Sequence, residues 1–241
     1  MGELLRTVRV AVRPNAVRAV VEDDFHHFRV TVHHDGAVVT EVHGDTLRRP
    51  WSTCQEAAGQ LQRLCGMTLS RCASDVARHT DRQFQCTHLF DLAGLAVASA
   101  TRNLRTLRYD MRVTDAIDGA REAELSKDGQ RMIQWSLQQT RIIGSTHYDG
   151  IELREGFADW ALRTLSDDEC EAALTLRRAV FISNGRRVDL DTLTHPPSTA
   201  GCFTLQPNRA PQAVRILGST QDFTHRAYLL TQTEEAWLAF D

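Results

Sequence analysis

Residues 25–44 read FHHFRVTVHHDGAVVTEVHG. Two β-branched runs flank His33-His34-Asp35-Gly36, and an Asp-Gly pair between such runs is a strong short-range hairpin signal. The reading is therefore strand, turn at 33–36, strand. Upstream, LRTVRVAVR (5–13) alternates apolar and basic residues as an edge strand does, and NAVRAVVE (15–22) supplies another strand.

Downstream the period changes. Thr53 and Glu56 form a T-x-x-E capping box, which makes Thr53 the expected N-cap of a helix carrying Ala57, Ala58, Leu61, Leu64 and Cys65 and closed by Gly66. A linking stretch, 67–84, has room for a short helix. CTHLFDLAGLAVASATRNL (86–104) is amphipathic with one broad apolar face. From 107 to 143 the pattern is β again, with turns at Asp118-Gly119 and Asp128-Gly129, and predicts a three-stranded antiparallel meander. Gly150 to Leu153 is a candidate short strand. FADWALRTL (157–165) and the stretch after Ser166 predict two helices. Residues 189–210 hold three of the six prolines and lack periodicity, which predicts a loop. Strands, helices, strands, helices in that order favour α+β over a doubly wound parallel sheet. The expected organisation is a Cys/His-bearing half, 1–105, and a covering half, 106–241.

The 241 residues are 42% apolar and 24% charged, with a net charge of -3. That composition buries a core without disulfide staples. It offers no excess of positive charge for a phosphate backbone, so no nucleic-acid partner is expected. No apolar run is long enough to span a bilayer. The start, MGELLRTVRV, lacks the signal-peptide and myristoylation patterns, so a cytoplasmic protein with reduced thiols is expected. GxGxxG, Walker, HExxH, GxSxG and CxxC motifs are missing, and no nucleotide cofactor is expected.

Seven of the ten histidines and four of the six cysteines lie in the first 88 residues, which places the candidate chemistry there. With Thr53 as N-cap, Cys54 is the first helical residue. Its thiol then faces the positive end of the helix dipole and becomes a low-pKa nucleophile or ligand; a packed, inert cysteine is the plainer alternative. Cys86 and His88 open the next helix as a small metal bite, or His88 serves as a general base; a capping cysteine and a surface histidine are the alternative. Asp24 and His26 share one face of a regular strand, and His27 takes the other. Cys54 and Cys86 are expected to meet because both open helices on one sheet.

DDFHHFRVTVHHDG, RRPWSTC and QCTHLFDLA together resemble an uncharacterised bacterial family catalogued as a domain of unknown function, over nearly the whole chain. That resemblance implies accessory proteins or enzymes of catabolic gene clusters. Residues 17–105 are also similar to the NifU/SufE-type iron–sulfur scaffold. Carried over, Asp24 matches the scaffold's aspartate and Cys54 and Cys86 two of its cysteines, while Glu22 stands where the remaining cysteine belongs. Fewer sulfurs suit zinc or another divalent metal better than an iron–sulfur cluster.

The expected function is a small-molecule enzyme of lyase, hydratase or hydrolase type acting on an organic acid, acyl or aromatic substrate. Its catalytic residues are Cys54, Cys86 and His88; its metal ligands Asp24, Cys54 and Cys86; its substrate contacts Arg49, Trp51 and His26, with Trp135 as a further wall. A metal- or sulfur-handling scaffold is the alternative. The sequence specifies no oligomeric state.

Overall fold

The computed structural model describes residues 2–102, 104–144 and 147–241. Asn103, inside the long helical run, lies outside them. The chain forms two compact units: Val8–Leu107 with Asp189–Gln221 and Thr231–Asp241, and Met1–Thr7 with Arg108–Val188 and Asp222–Leu230. The first is called here the histidine-rich unit and the second the meander unit. The fold class is α+β with antiparallel strand pairing, as the element order predicts.

In the histidine-rich unit the strand order is β4-β3-β2-β1, with β1 Glu3–Arg13, β2 Ala16–Asp23, β3 His27–His34 and β4 Val39–Arg48. Strand β3 alternates strictly, burying Phe28, Val30, Val32 and His34. The hairpin turn begins at Asp35 rather than His33. Asp35 accepts hydrogen bonds from the Ala37 and Val38 amides at 2.8 and 2.9 Å, and Gly36 takes the left-handed φ of 98° that its missing Cβ permits. Both histidines stay in the strand. Residues of β1 neighbour β2 here and β5 in the meander unit, so β1 is not an edge strand.

The expected capped helix is a 3-10 helix, Ser52–Leu64, packed on β4. Its N-cap is Trp51, whose carbonyl accepts from the Cys54 amide three residues on. Thr53 is buried and its hydroxyl donates to Thr204 at 3.2 Å, so it caps nothing and the T-x-x-E reading fails. After α1, Val76–His79, comes α2, Thr87–Thr101, whose extended N-cap is Cys86. Helix α2 packs on β2 and β3 and buries nearly every residue from His88 to Ser99, more than the single face expected. At Gly94 the chain segment before α1 comes so close that an added Cβ would lie 2.3 Å from the Ala73 carbonyl oxygen.

In the meander unit the order is β1-β5-β6-β7-β8, with β5 Thr106–Thr114, β6 Ala120–Lys127, β7 Gln130–Gln138 and the short β8 Arg141–Ile143. Both Asp-Gly pairs have positive φ at each residue, the twist that joins adjacent antiparallel strands tightly. Helices α3, Phe157–Thr164, and α4, Asp167–Ile182, follow, and Ser166 caps α4 by accepting from the Glu169 amide. Trp135 is fully buried in this core against Tyr148 and Phe157. Residues 189–210, expected as a loop, are irregular apart from a 3-10 turn at Leu190–Thr192 and the start of another, Ala210–Gln212. The C-terminal residues include a short helix, α5, Glu235–Ala239.

Candidate metal centre

The turn between β2 and β3 organises the site. Asp23 ends β2, and its Oδ1 accepts from the Phe25 amide at 2.8 Å and the His26 amide at 2.9 Å. An aspartate hydrogen-bonding the amides two and three residues ahead reverses the chain in the same way as a backbone turn. The same oxygen lies 3.0 Å from His26 Nδ1. From β4, Arg48 locks the turn by donating to the Asp24 carbonyl at 2.7 Å and the Asp23 carbonyl at 2.6 Å, and the Gln221 amide adds a bond to the Asp24 carbonyl. The Asp23 side chain is fully buried and His26 is only 8% exposed.

Helix α2 brings the third member. His88, in its first turn, stacks on His26 with ring centroids 3.9 Å apart and planes inclined 27°. Phe28 presents its edge to both imidazoles. One ligand atom from each of Asp23, His26 and His88 lies within 4.8 Å of the others. Ligand atoms at about 2.1 Å from a shared divalent ion are roughly 3–4 Å apart, a little closer than the limit this set meets. A carboxylate enclosed at this depth also gains from a neighbouring positive charge, because burial penalises it until it is paired.

The thiols lie beside this set. Cys86 Sγ is 3.9 Å from His88 Nδ1. Segment 202–206 returns over the start of α2: the Phe203 amide donates to the Gln85 carbonyl at 3.0 Å, and Thr204 Oγ1 donates to Cys54 Sγ at 3.5 Å. The returning segment thus touches both the residue before Cys86 and the Cys54 sulfur, which puts Cys54 and the start of α2 in one neighbourhood. The thiols are not acidic, however. Burial pushes Cys54 up to about 11 and raises Cys86 as well. Cys54 is not the expected low-pKa thiol at a helix start: desolvation outweighs the dipole, and Cys54 is the third residue of a 3-10 helix.

Of the expected site residues, the fold gathers His26, His88 and Cys86. Asp24 is buried, but Asp23 is the carboxylate that meets His26, because residues 24–26 belong to the turn and the strand period does not reach them. His27 begins β3 and pairs with Glu234 at 2.8 Å and Glu22 at 3.4 Å. Arg49 donates to the Thr46 carbonyl and to Gln55. Trp51 is buried with Cys54 and Ala213. Trp135 is part of the buried core of the meander unit. Sequence reasoning missed Asp23, Cys202 and Thr204. The D-x-x-H spacing of Asp23 and His26 carried a usable signal, since it is the spacing of an aspartate turn; residues 202–204 carried none.

Among the described residues no helix is long and apolar enough to cross a membrane. A comparison with curated proteins gives no match, and the likeness to the iron–sulfur scaffold is not confirmed. The model of a family described as protein of unknown function, DUF2889, matches residues 6–102. That span holds all three quoted motifs and the whole Asp23/His26/His88 set, and it is shorter than the near-complete coverage expected. Residues 6–102 are therefore similar to the DUF2889 family of proteins of unknown function.

Proposed function

We propose that the protein is a small-molecule enzyme whose reaction centre is a divalent metal held by Asp23, His26 and His88. The observation that carries this reading is the meeting of two imidazoles and one carboxylate within 4.8 Å, all buried, from a turn and a helix start far apart in sequence. Three protein ligands leave a coordination position for water or a substrate oxygen. A metal there acidifies bound water toward neutrality and polarises a carbonyl, which fits lyase, hydratase or hydrolase chemistry on an organic acid or acyl substrate. The aromatic edges of Phe25 and Phe28 around His26 keep the local dielectric low and strengthen that field. Nitrogen and oxygen ligands suit zinc and equally iron(II) or manganese(II).

A metal- or sulfur-handling scaffold is the second reading, favoured by three thiols in one neighbourhood. Cargo transfer needs exposed thiolates, and Cys54 and Cys86 are buried and protonated at neutral pH, which supports the enzyme over the scaffold. Elemental analysis of untagged protein, with and without loading by zinc, iron(II) or manganese(II), tests the reading. The expected result is a single tightly held divalent ion per chain, lost in His88→Gln with the fold retained by circular dichroism. Failure to retain any of these ions after loading would overturn it.

A further inference from the structure

The meander unit holds a cavity of about 380 Å³, within the size range of small-molecule sites, built from β1, β5, β6 and segment 222–230. Its apolar parts include the buried Leu5 and Leu230. Tyr228 lines it too and stands 73% exposed, a ring available for packing against an apolar group. The polar wall alternates in charge. Arg108, Asp110 and Arg112 share the outward face of β5, and Glu124 on β6 is the cross-strand partner of Arg112. Asp110 is engaged by Arg108 at 2.6 and 2.9 Å and by Thr7 at 2.8 Å, which stiffens that end. Arg112 contacts Glu3 through Nε, and among the described residues Glu124 has a loose 3.7 Å contact with Arg131.

We propose that this cavity binds an apolar α-amino acid, with its carboxylate on Arg112, its ammonium on Glu124 and its side chain against Leu5, Leu230 and Tyr228. The charges of the wall decide the class. Two guanidinium groups and two carboxylates cancel, so a simple anion meets Asp110 and Glu124, and a simple cation meets both arginines. A ligand with one charge of each sign, a few ångströms apart, matches the roughly 5 Å cross-strand spacing of Arg112 and Glu124. The guanidinium fork suits a carboxylate in particular.

Calorimetric titration of the full-length protein with L-phenylalanine tests this, with phenylacetate and phenethylamine as single-charge controls. The expected result is saturable binding of phenylalanine at least ~10-fold tighter than either control, weakened at least ~10-fold in Arg112→Ala and in Tyr228→Ala. Both side chains are exposed, so folding is retained. Absence of saturable binding, equal affinity for either control, or unchanged affinity in Arg112→Ala overturns the proposal. None of these outcomes depends on the metal reading.

Discussion

The first turn of α2 separates two clusters of metal-capable side chains, and they differ in how burial treats them. On one side Asp23, His26 and His88 are buried together with hydrogen bonds and a ring stack already in place. On the other, Cys54 is buried with Trp51 and Ala213 and meets the Thr204 hydroxyl, Cys86 is buried beside His88, and burial holds both thiols protonated. Both sets have the residue types that ligate metals. Only the first supplies the pairing that makes a buried charge tolerable. Enclosure alone therefore does not mark a reactive group; enclosure with partners does.

The largest effects fall on the imidazole–carboxylate side. His88→Gln is expected to weaken metal retention at least ~100-fold, measured by competition with a chelator. Asp23→Ala adds a structural loss, because the Phe25 and His26 amides lose their acceptor; chemical denaturation should read about 3 kcal/mol, against about 1 for Asp23→Asn. Equal losses for the two substitutions would mean that Asp23 does not organise the turn.

Thiol chemistry sharpens the other side. With Cys54 raised from 9.0 to about 11, its thiolate population at pH 8 is on the order of 100-fold below that of an ordinary thiol. Iodoacetamide should spare Cys54 in native protein, with peptide mapping as the readout. Rapid native alkylation there would restore the nucleophile that its position at a helix start suggested. The raised value also gives Cys54 a stabilising contribution that is complete below pH 9.0 and lost as pH rises through about 11.

Glu234 shows the same rule with the opposite sign. Its side chain is fully buried, and burial pushes its carboxyl upward, yet the close His27 ring and hydrogen bonds from Arg29 hold it down at about 2. Its contribution is present above the ordinary value of 4.5 and lost as pH falls through about 2. Glu234→Gln should lower stability at neutral pH and flatten the acid limb of the stability curve. An unchanged limb would mean that the pairing contributes nothing. The smallest effects are expected from Cys54→Ala and Cys86→Ala, about 1 kcal/mol of stability each with metal content unchanged.

Much of the fold was legible because local chemistry agreed with the tertiary result. Asp118-Gly119 and Asp128-Gly129 demand positive φ and obtain it, and Ser166 caps α4 as its spacing implies. The 3-10 helix at Ser52–Leu64 was not legible, because the Thr53 hydroxyl answers to Thr204, 151 residues away. The site was legible in part. His26, Cys86 and His88 stood out by type, whereas the choice of Asp23 over Asp24 depended on where β2 stops. Cys202 reaches the thiols through a loop without periodicity, and nothing local in the sequence announces that return.

Cobalt(II) loading reads the two clusters in one spectrum, since a thiolate ligand adds an intense sulfur-to-cobalt charge-transfer band and imidazole and carboxylate ligands do not. The account predicts visible d–d absorption without that band in the wild-type protein, unchanged in Cys54→Ala and Cys86→Ala and abolished in His88→Gln. A strong charge-transfer band that disappears in Cys86→Ala, or a cobalt spectrum that survives His88→Gln, would contradict it.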